Sequence, residues 1–597
     1  MSISDKLNLI LTEYSSGNKK SAYKKFKKFY LKNNKNLKLR YNLAVMQQEL
    51  GLLDEAETNY ISLIKSNENT KYKINLYNLY ISKKLYQNAL DLINSIQSKN
   101  LSLTQVNQDK AHILYLLKKY DESIDQCYQI LKIDDKNANT LNTLGLCFLQ
   151  LQRYDEANKT LLKAIDLDNQ NIVILNSLGR LKHELRKSKE AEMYFDKAFA
   201  LNPNSFETLN NMAGFYVDEE KYQKAIYLYK KAEKLKPNNS ILINNIAKTL
   251  MCLHNADEAE KYCRRAISLD QKNDEFKKIL AFILLKKYDF KNAWLYFDGR
   301  LGLSDFANKN STLKLVENKI SNKIISNKNS RILVIREQGI GDELLYGTMY
   351  CDLLNEFSDL VIECDERLIP LFKNSFESHK DKFVKLGTYS LDINKITNFD
   401  YIVYAGSLGK YFRNDLKSFY QKPYLKNIEN YKDSELDNIL SKTRGLKIGI
   451  SWKSLKNRYS SEKSLSLEDF ENIFKIKGST IFNLQYGDVK EDLKNFTKKQ
   501  NYKIITLETL ELFSNFSGLA NLLKNLDVFV TVSNSTAHFA GALGVPTILI
   551  CPKKSSTYYY WDYEDGKTPW YNNISIIKFR DSLDYTMKLV DDLINKI

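Results

Sequence analysis

The first half of the chain repeats itself at an interval of 34 residues, and this period constrains the fold more than any other feature of the sequence. A period of this length is typical of two-helix units that must stack on their neighbours to bury an apolar face. In each unit the eighth and twentieth positions are small, so paired helices can approach closely, and large apolar residues fill the seam. The diagnostic positions of four successive units are Leu141, Leu144, Gly145, Phe148, Tyr154, Ala157, Leu161 and Ala164; Leu175, Leu178, Gly179, Ala191, Phe195, Ala198 and Pro203; Leu209, Met212, Ala213, Tyr216, Tyr222, Ala225, Tyr229, Ala232 and Pro237; and Ile246, Ala247, Leu250, Ala259 and Ala266.

This pattern resembles the tetratricopeptide repeat, and it recurs in phase over several units. Weaker units before and after the four clear ones raise the expected number to about nine and extend the repeat region over residues 3–303. The resemblance implies an all-α superhelix with one continuous core and a concave groove, which is a surface suited to a protein or peptide partner.

A row of asparagines is expected on the inner face of that superhelix. Side-chain amides donate and accept hydrogen bonds, so such a row could hold an extended peptide backbone without reading its sequence. The row resembles, one position displaced, the asparagine ladder of O-GlcNAc transferases. The alternative is compositional, because the sequence is rich in Asn and Asn is frequent before Leu-Gly in these repeats. The predicted ladder consists of Asn142, Asn176, Asn210 and Asn244, with Asn211 and Asn245 beside it.

Glycine and proline divide the chain into two unlike halves. Residues 1–330 contain seven glycines and two prolines, against fourteen and five in the remaining 267 residues. Few breakers indicate helices, whereas many indicate turns between strands. We therefore expect a connector over the polar stretch 304–330, followed by two α/β lobes at 331–440 and 441–597.

The charge and the cysteines limit the class of protein. The formal net charge is +17, but most of the excess is Lys in a sequence rich in Asn and Ile, as AT-rich codon use would also produce, so nucleic acid is not the expected partner. Seven cysteines without a CxxC pair suit a reducing compartment and predict neither a disulfide framework nor a structural zinc site. No apolar run approaches the roughly 18 to 20 residues of a membrane span, and no signal peptide is recognisable. A cytoplasmic protein is expected, with peripheral attachment to the inner membrane as the alternative.

The second half opens with a strand, a glycine loop and a helix in RILVIREQGIGDELLYG. Gly339 and Gly341 form the loop, and Asp342 and Glu343 follow at the helix N-terminus, where the helix dipole favours ionised carboxylates. Apolar, β-branched runs alternate with helical patterns after this point, which predicts parallel sheets that face a cleft. The runs lie at 360–364, 401–405, 446–452, 480–486, 528–533 and 546–551.

Two segments of the last lobe are candidates for holding a diphosphate. One is the polar run from Ser533 to Thr536, which leads into a helix carrying His538; the N–H groups of a helix N-terminus bind anions, although a single polar residue would suffice as a plain N-cap. The other is a basic loop after a strand, for which a solvated loop is the alternative. The residues are Ser533, Asn534, Ser535, Thr536 and His538 in the first segment, and Lys453 and Lys463, with less weight on Lys456 and Arg458, in the second.

The motifs of the second half follow one another in a recognisable order: EQGIGDELLYG, ISWKS with KSLSLEDF, FNLQYGD, DVFVTVSNSTAHFAGALGVPTILI and TPWYNNISIIKFR. Over nearly its whole length the chain resembles bacterial proteins that join tetratricopeptide repeats to a heptosyltransferase-like domain of the GT-B type. The resemblance implies two Rossmann-like lobes, with the acceptor on the first and a nucleotide-sugar donor on the second. It implies sugar transfer without a metal or any cofactor beyond that donor.

The resemblance also implies roles for single residues. Asp342 matches the acid proposed as general base, Lys453 or Lys463 would bind phosphate, and His538 with its preceding loop would contact the donor. A structural histidine at the helix start is the alternative for His538. Heptosyltransferases carry an Asp where this chain has Ser533, so heptose is not assumed as the donor sugar.

The expected function is glycosyl transfer to an acceptor hydroxyl, on a protein bound by the repeat groove. The alternative use of the repeats is to dock the enzyme on a glycan-assembly or flagellar-modification complex. A non-catalytic repeat scaffold with a degenerate GT-B domain is the alternative, which Ser533 favours slightly. The retained GxGD, SWK and SNSTAH elements favour the enzyme.

Overall fold

The computed structural model describes residues 3–67, 69–95, 103–303, 311–320, 325–419, 422–428, 431–454, 463–500, 502–551, 558–563 and 566–578, with residues 588, 590, 592 and 594. The chain divides into two compact units, Met1–Glu219 and Glu220–Ile597.

The first unit is built from helices that pack in consecutive pairs, as the repeat pattern predicts. The small positions lie where paired helices meet: a Cβ on Gly145 would stand 2.6 Å from Leu161 Cγ, and one on Gly179 would stand 2.6 Å from Phe195 Cε1. The prediction that small residues permit close helix packing is therefore confirmed. The helices of this unit are Ile3–Ser15, Lys19–Lys32, Leu37–Glu49, Leu53–Ser66, Thr70–Ser82, Tyr86–Asn94, Leu103–Leu116, Tyr120–Leu131, Ala138–Gln150, Tyr154–Leu167, Ile172–Glu184, Ser188–Leu201 and Phe206–Asp218.

The turn inside each repeat uses a left-handed backbone residue. This conformation satisfies the last carbonyls of the first helix, and glycine adopts it most easily because it has no Cβ. Gly17 and Gly51 occupy such turns in the first repeats, but later repeats place other residues there at φ between 57° and 61°. Those residues, each 34 after the one before, are Lys84, Lys118, Gln152, Arg186, Glu220, His254 and Tyr288.

Replacing Gln152 with Gly is expected to stabilise the protein by about 0.5–1 kcal/mol, because the strain of a left-handed residue exceeds the extra chain entropy of glycine. Gln152 is exposed, at φ 60°, so the change removes no buried contact. The measurement is the urea midpoint followed by far-UV circular dichroism. Gln150→Gly is the matched control, because it places glycine in the last residue of helix Ala138–Gln150 and should be neutral or destabilising. A lower midpoint for Gln152→Gly would contradict the expectation.

The second unit begins with five further repeat helices and a 3-10 turn, Asp298–Leu303. The stretch predicted to be a connector also contributes structure, since Leu313 and Val316 are buried in the core of the first sheet and Ile320 forms a parallel bridge with Ile402. Within the described ranges these elements are the helices Tyr222–Leu235, Ser240–Cys252, Ala256–Leu269, Asp274–Lys286, Phe290–Phe297 and Ser311–Leu315, and the 3-10 turn Glu317–Lys319.

Two sheets follow, and every strand pair in them is parallel, as predicted. The strands of the first sheet are β1 Ile332–Ile335, β2 Leu360–Cys364, β3 Phe383–Lys385 and β4 Tyr401–Tyr404, and those of the second are β5 Leu446–Ser451, β6 Ser479–Asn483, β7 Ile504–Ile505, β8 Val528–Val532, β9 Thr547–Cys551 and β10 Ile574–Lys578. The first sheet has the strand order β3-β2-β1-β4 and the second the strand order β10-β9-β8-β5-β6-β7.

Short helices connect the strands and cover the sheets. The apolar strand residues Ile448, Ile450, Val528, Val530 and Ile550 are buried in one core of the second sheet. The connecting α-helices are Ile340–Gly347, Tyr350–Glu356, Ile369–Ser375, Ile393–Ile396, Gly409–Phe412, Ser434–Lys442, Glu471–Phe474, Lys490–Gln500, Phe516–Lys524 and Ser535–Leu543; the 3-10 turns are Glu377–Lys382, Ala405–Leu408, Leu416–Ser418, Glu468–Phe470 and Tyr559–Trp561.

Candidate functional site

The strand order of the two sheets by itself indicates where a ligand is expected to bind. When its six strands are numbered from one to six in chain order, the second sheet has the doubly wound order 6-5-4-1-2-3. Successive strands are therefore added to one side of β5 first and then, from β8 on, to its other side. In the first sheet, β2 and β3 are likewise added to one side of β1 and β4 to its other side. In open parallel sheets, ligands bind at the carboxyl ends of the strands at this switch point. The segments that follow β1, β4, β5 and β8 are therefore expected to form the site.

A cleft of about 1170 Å³ lies at these strand ends, and residues from both sheets line it. Lys453 and Thr536 do not line it, although they were predicted beside the residues that do. The predicted residues that the structure brings together in the cleft are Gly339, Gly341, Asp342, Lys463, Ser533, Asn534, Ser535 and His538.

The start of helix Ile340–Gly347 meets the start of helix Ser535–Leu543 at this cleft. A Cβ on Gly341 would stand 2.8 Å from His538 Cδ2 and 3.3 Å from its Nε2. A larger residue than glycine would therefore force the imidazole away from the loop. The close approach brings the acid of one sheet and the helix N-terminus of the other to the same space.

His538 is a neutral, buried imidazole. Burial lowers its pKa to about 3, so it carries no charge near neutral pH. Its Nδ1 lies 3.2 Å from the Tyr571 hydroxyl, and its ring packs on Tyr560 and Trp561 with centroid distances of 5.0 and 4.8 Å. His538 therefore has the packing of a structural histidine, which was the alternative predicted for it, and it also lines the cleft. It can offer a neutral hydrogen bond but cannot act as a cation.

Asn534 caps helix Ser535–Leu543 and ties it to the neighbouring strand. Its Oδ1 accepts from the Ala537 N–H at 3.1 Å, and its Nδ2 donates to Ser451 Oγ at 2.8 Å. Because this amide already has partners on both sides, it holds the helix start in place. The first two N–H groups of the helix, those of Ser535 and Thr536, have no acceptor within a helix and are the ones suited to an anion.

Gln485 completes this arrangement, although it was not among the predicted site residues. Its Oε1 accepts from Ser451 Oγ at 3.0 Å and from the backbone N–H groups of Trp452 and Lys453 at 2.9 and 2.6 Å. One buried amide thereby fixes the carboxyl end of β5. The possible signal was its place in the FNLQYGD motif, directly after a strand end.

Lys453 and Lys463, the two lysines predicted to bind phosphate, have different surroundings. Lys453 forms an ion pair with Asp492, so its charge is compensated outside the cleft, and its assignment as a phosphate ligand is not supported. Lys463 is 6% exposed and lines the cleft, where its Nζ lies 3.8 Å from the ring centroid of Tyr558. No carboxylate of the described ranges forms an ion pair with it. Lys456 and Arg458 lie outside the described residues.

Asp342 lies in the first turn of its helix, partly exposed and surrounded by tyrosines. Burial raises the pKa of Tyr346, Tyr559, Tyr560 and Tyr571 well above the ordinary range, and the Asp342 carboxylate raises them further. These hydroxyls remain protonated near neutral pH and surround the acid with neutral dipoles.

Glu343 departs from the expectation. The helix dipole was expected to keep it ionised, but burial raises its pKa to about 7, with Arg336 opposing that shift. Desolvation outweighs the dipole because the carboxyl is buried and does not line the cleft: Oε2 lies 2.8 Å from Arg336 Nε, and Oε1 accepts from the Asp365 N–H at 2.9 Å. Glu343 therefore belongs to the support behind the loop.

The predicted asparagine ladder is largely withdrawn from solvent. Asn142 and Asn176 are each 6% exposed, and Asn244 is 3% exposed. Asn176 instead donates to Ile172 O at 2.9 Å and to Thr208 Oγ1 at 2.8 Å in the next repeat. Stacking of successive repeats covers these positions, so the prediction of a presented ladder is wrong at these three; Asn210, together with Asn211 and Asn245, is partly exposed.

Two negative findings apply to the described parts of the chain. No group of three or more His, Cys, Asp and Glu side chains there is arranged to hold a metal ion. No helix there has the length and apolar character needed to cross a bilayer.

Comparison with known proteins identifies the repeats. The tetratricopeptide repeat family matches residues 138–171, 172–205 and 216–283. Protein FlbA of Caulobacter vibrioides is 25% identical over 268 residues, 41% of this chain and 43% of FlbA, so the chain spans less than half of that relative's length. A tetratricopeptide-repeat protein from Thermus thermophilus is 18% identical over 30% of this chain and 99% of its own, with a TM-score of 0.29. The type IV pilus biogenesis factor PilW is 17% identical over 35% of this chain and 99% of its own, with a TM-score of 0.32.

Residues 138–205 and 216–283 are therefore tetratricopeptide repeats, a class of module whose concave surfaces serve to bind protein partners.

Proposed function

We propose that the α/β part of the chain transfers a sugar from a nucleotide-sugar donor to an acceptor hydroxyl. The observation that carries this proposal is the cleft, which is lined by Asp342 from the lobe of one parallel sheet and by Lys463 and the start of helix Ser535–Leu543 from the lobe of the other. Two doubly wound lobes around a cleft suit a bimolecular reaction, because each lobe can hold one substrate.

The second lobe offers what a nucleotide diphosphate requires. When the bond between the sugar and the diphosphate breaks, negative charge builds on the leaving phosphate. Lys463 supplies a cation, and the first N–H groups of helix Ser535–Leu543 supply oriented dipoles. Ser533 stands in place of a carboxylate here, which removes a charge that would repel the phosphate. The neutral His538 can add a hydrogen bond without changing the net charge.

The first lobe offers the base. Asp342 would accept the proton of the acceptor hydroxyl as its oxygen attacks the anomeric carbon, while the diphosphate departs from the opposite face. A carboxylate is a sufficient base when the proton is transferred late in the reaction. The tyrosine hydroxyls around Asp342 stay protonated and do not compete for that proton.

The repeats suggest the class of acceptor. Since tetratricopeptide repeats bind proteins, the acceptor hydroxyl in this proposal lies on a protein delivered by the repeat region. The experiment is a thermal-shift screen of the full chain against nucleoside diphosphates. Stabilisation by one nucleotide names the donor family, and transfer from the nucleotide sugars of that family onto cell lysate, read by mass spectrometry, names the sugar and the acceptor. No stabilisation at millimolar nucleotide would favour the second candidate, a repeat scaffold whose α/β part binds no nucleotide.

Replacing Lys463 with Met is expected to weaken nucleoside-diphosphate binding about 10- to 100-fold, because a buried cation that contacts phosphate is lost. Lys453→Met removes the same charge from a residue paired with Asp492 outside the cleft and should change the dissociation constant less than about threefold. Isothermal titration calorimetry at constant ionic strength measures both. Equal losses in the two variants would mean that general charge attraction, and not contact with Lys463, governs binding.

A further inference from the structure

Arg300 is a buried arginine of the repeat region whose guanidinium reaches the glycine loop of the first sheet. It lies in the 3-10 turn Asp298–Leu303, directly after the last repeat helix, and is 5% exposed. Its Nε and Nη2 donate to the two carboxylate oxygens of Glu337 at 2.8 and 2.7 Å. This two-point contact fixes both the distance and the plane of the carboxylate.

Glu337 belongs to the segment that follows β1, five residues before Asp342. Its Oε1 also accepts from the Gly406 N–H at 2.8 Å, at the end of β4. A Cβ on Gly406 would stand 2.7 Å from both Arg300 Nη2 and Glu337 Oε1, so this position has no room for a side chain. Arg300 therefore enters the switch point of the first sheet, between the two strand ends.

A second set of contacts holds the other side of Arg300. Its Nη1 donates to the Phe297 carbonyl at 3.0 Å and to Asp298 Oδ1 at 3.1 Å, and its Nη2 donates to Ser407 Oγ at 2.9 Å. The Ser407 hydroxyl donates to the same Asp298 oxygen at 2.7 Å. A buried charge network in which every member has partners favours one arrangement of the backbone.

The segment between Glu337 and Tyr346 is thus held at both ends. Glu337 is fixed by Arg300, and the Tyr346 ring lies 2.9 Å from the position of a Cβ on Gly406. Between them run Gly339, Gly341 and Asp342, which line the cleft. Gly339, directly before the helix Ile340–Gly347, gives the chain alternative conformations at the helix start, so an external restraint there can set the position of Asp342 in the first turn.

We propose that Arg300 is a positioning residue: the last tetratricopeptide repeat sets the conformation of the 338–342 loop through the Arg300–Glu337 contact. The catalytic consequence rests on the function proposed above for Asp342, whereas the restraint on the loop does not. It makes the end of the repeat region a part of the candidate active site.

The test compares Arg300→Lys with Lys286→Met in the full-length protein. Arg300→Lys keeps the positive charge but cannot make the two-point contact. Lys286→Met is the matched control, because it also removes a buried contact between the repeats and the α/β part: Lys286 Nζ lies 2.9 Å from Asp562 Oδ2, and Asp562 keeps Lys578 at 3.0 Å. Amide hydrogen exchange over residues 336–345 is the readout that needs no activity.

Arg300→Lys is expected to raise exchange over residues 336–345 at least about 10-fold, with other peptides of the second unit unchanged, while Lys286→Met leaves this peptide as in the wild type. Glu337→Gln, which keeps the size of the side chain and its acceptor for Gly406, should raise exchange to a smaller extent. Unchanged exchange over residues 336–345 in Arg300→Lys, or an equal increase in Arg300→Lys and Lys286→Met, would overturn the proposal.

Kinetics separate this inference from the proposed function. If the wild type transfers sugar, Arg300→Lys should lower kcat about 10- to 100-fold with the donor KM within about twofold, since the donor contacts lie on the other lobe. A fall confined to KM would refute a positioning role. If the wild type transfers no sugar from any donor, the proposed function fails, and the exchange experiment still decides whether Arg300 restrains the loop.

Discussion

Replacing Asp342 with Asn is expected to lower the rate of sugar transfer by about 10²- to 10⁴-fold, the usual contribution of a general base. The side chain keeps its size and its place in the first turn of helix Ile340–Gly347, but an amide cannot take up the proton of the acceptor hydroxyl. Donor binding should persist within about twofold, because the contacts proposed for the donor are those of Lys463 and helix Ser535–Leu543, on the other side of the cleft. The measurement is single-turnover transfer from the nucleotide sugar that the lysate experiment identifies.

Asp488 supplies the control for charge. It is an exposed carboxylate that lines the same cleft, so Asp488→Asn removes one negative charge without removing the base. Transfer in Asp488→Asn should stay within about threefold of the wild type. Turnover of Asp342→Asn at the wild-type rate, with the donor still bound, would remove the role assigned to Asp342.

The sequence predicted the parts of the fold that repeat or that lie inside a sheet. The small residues Gly145 and Ala157 identified the helix seams because a two-helix unit needs them in every period. The strands missed were β3, β7 and β10, which are three of the four edge strands of the two sheets; the fourth, β4, was predicted from its apolar run. An edge strand pairs on one side alone and can be as short as the two residues of β7, so it needs no long apolar run.

The candidate site was predicted where its residues share one segment and missed where partners are distant in sequence. Lys453 and Lys463 could not be separated, because the carboxylate that neutralises Lys453 is Asp492, 39 residues later. Arg300 and Glu337 stand 37 residues apart and on opposite sides of the predicted connector, so no local pattern joins them.

The errors at Glu343 and in the asparagine ladder have one cause. Both predictions placed a polar residue correctly on its helix but treated the helix as if it were alone. The support behind the glycine loop desolvates Glu343 enough to raise its pKa to about 7, and stacking of repeats covers Asn142. Burial by a neighbouring element depends on the packed structure, which helical periodicity does not describe.

Replacing Trp294 with Ala is expected to destabilise the second unit by about 3–5 kcal/mol, the usual effect of truncating a large buried aromatic side chain. Trp294 lies in the last repeat helix, and its indole Nε1 donates to the Arg413 carbonyl at 2.6 Å. A Cβ on Gly409 would stand 2.5 Å from the indole ring, which shows how closely the ring packs on the α/β part. The truncation leaves a cavity and a buried carbonyl without its donor.

Tryptophan fluorescence can follow this unit by itself, because all four tryptophans of the chain, at 294, 452, 561 and 570, lie after residue 220. The urea midpoint from fluorescence should fall by about 1 M or more in Trp294→Ala, given the slope of a few kcal/mol per molar urea typical of such transitions. Phe195→Ala is the control: it truncates a buried aromatic of the first unit, 1% exposed, and should shift the transition seen by circular dichroism while leaving the fluorescence midpoint in place.

The effect is expected to be large because Trp294 is one of several aromatic residues that join the last repeat helices to the α/β part. Tyr559 stacks on Phe282 at 5.0 Å and meets Phe297 edge-on at 5.5 Å, and Tyr563 stacks on Tyr288 at 5.0 Å. In a chain that lacks residues 1–303, the rings of Tyr559 and Tyr563 would be exposed and Glu337 would be buried without Arg300. The remaining α/β part should therefore not fold cooperatively. A midpoint unchanged by Trp294→Ala would instead mean that the packing of Trp294 on Gly409 and Arg413 contributes little to the stability of the second unit.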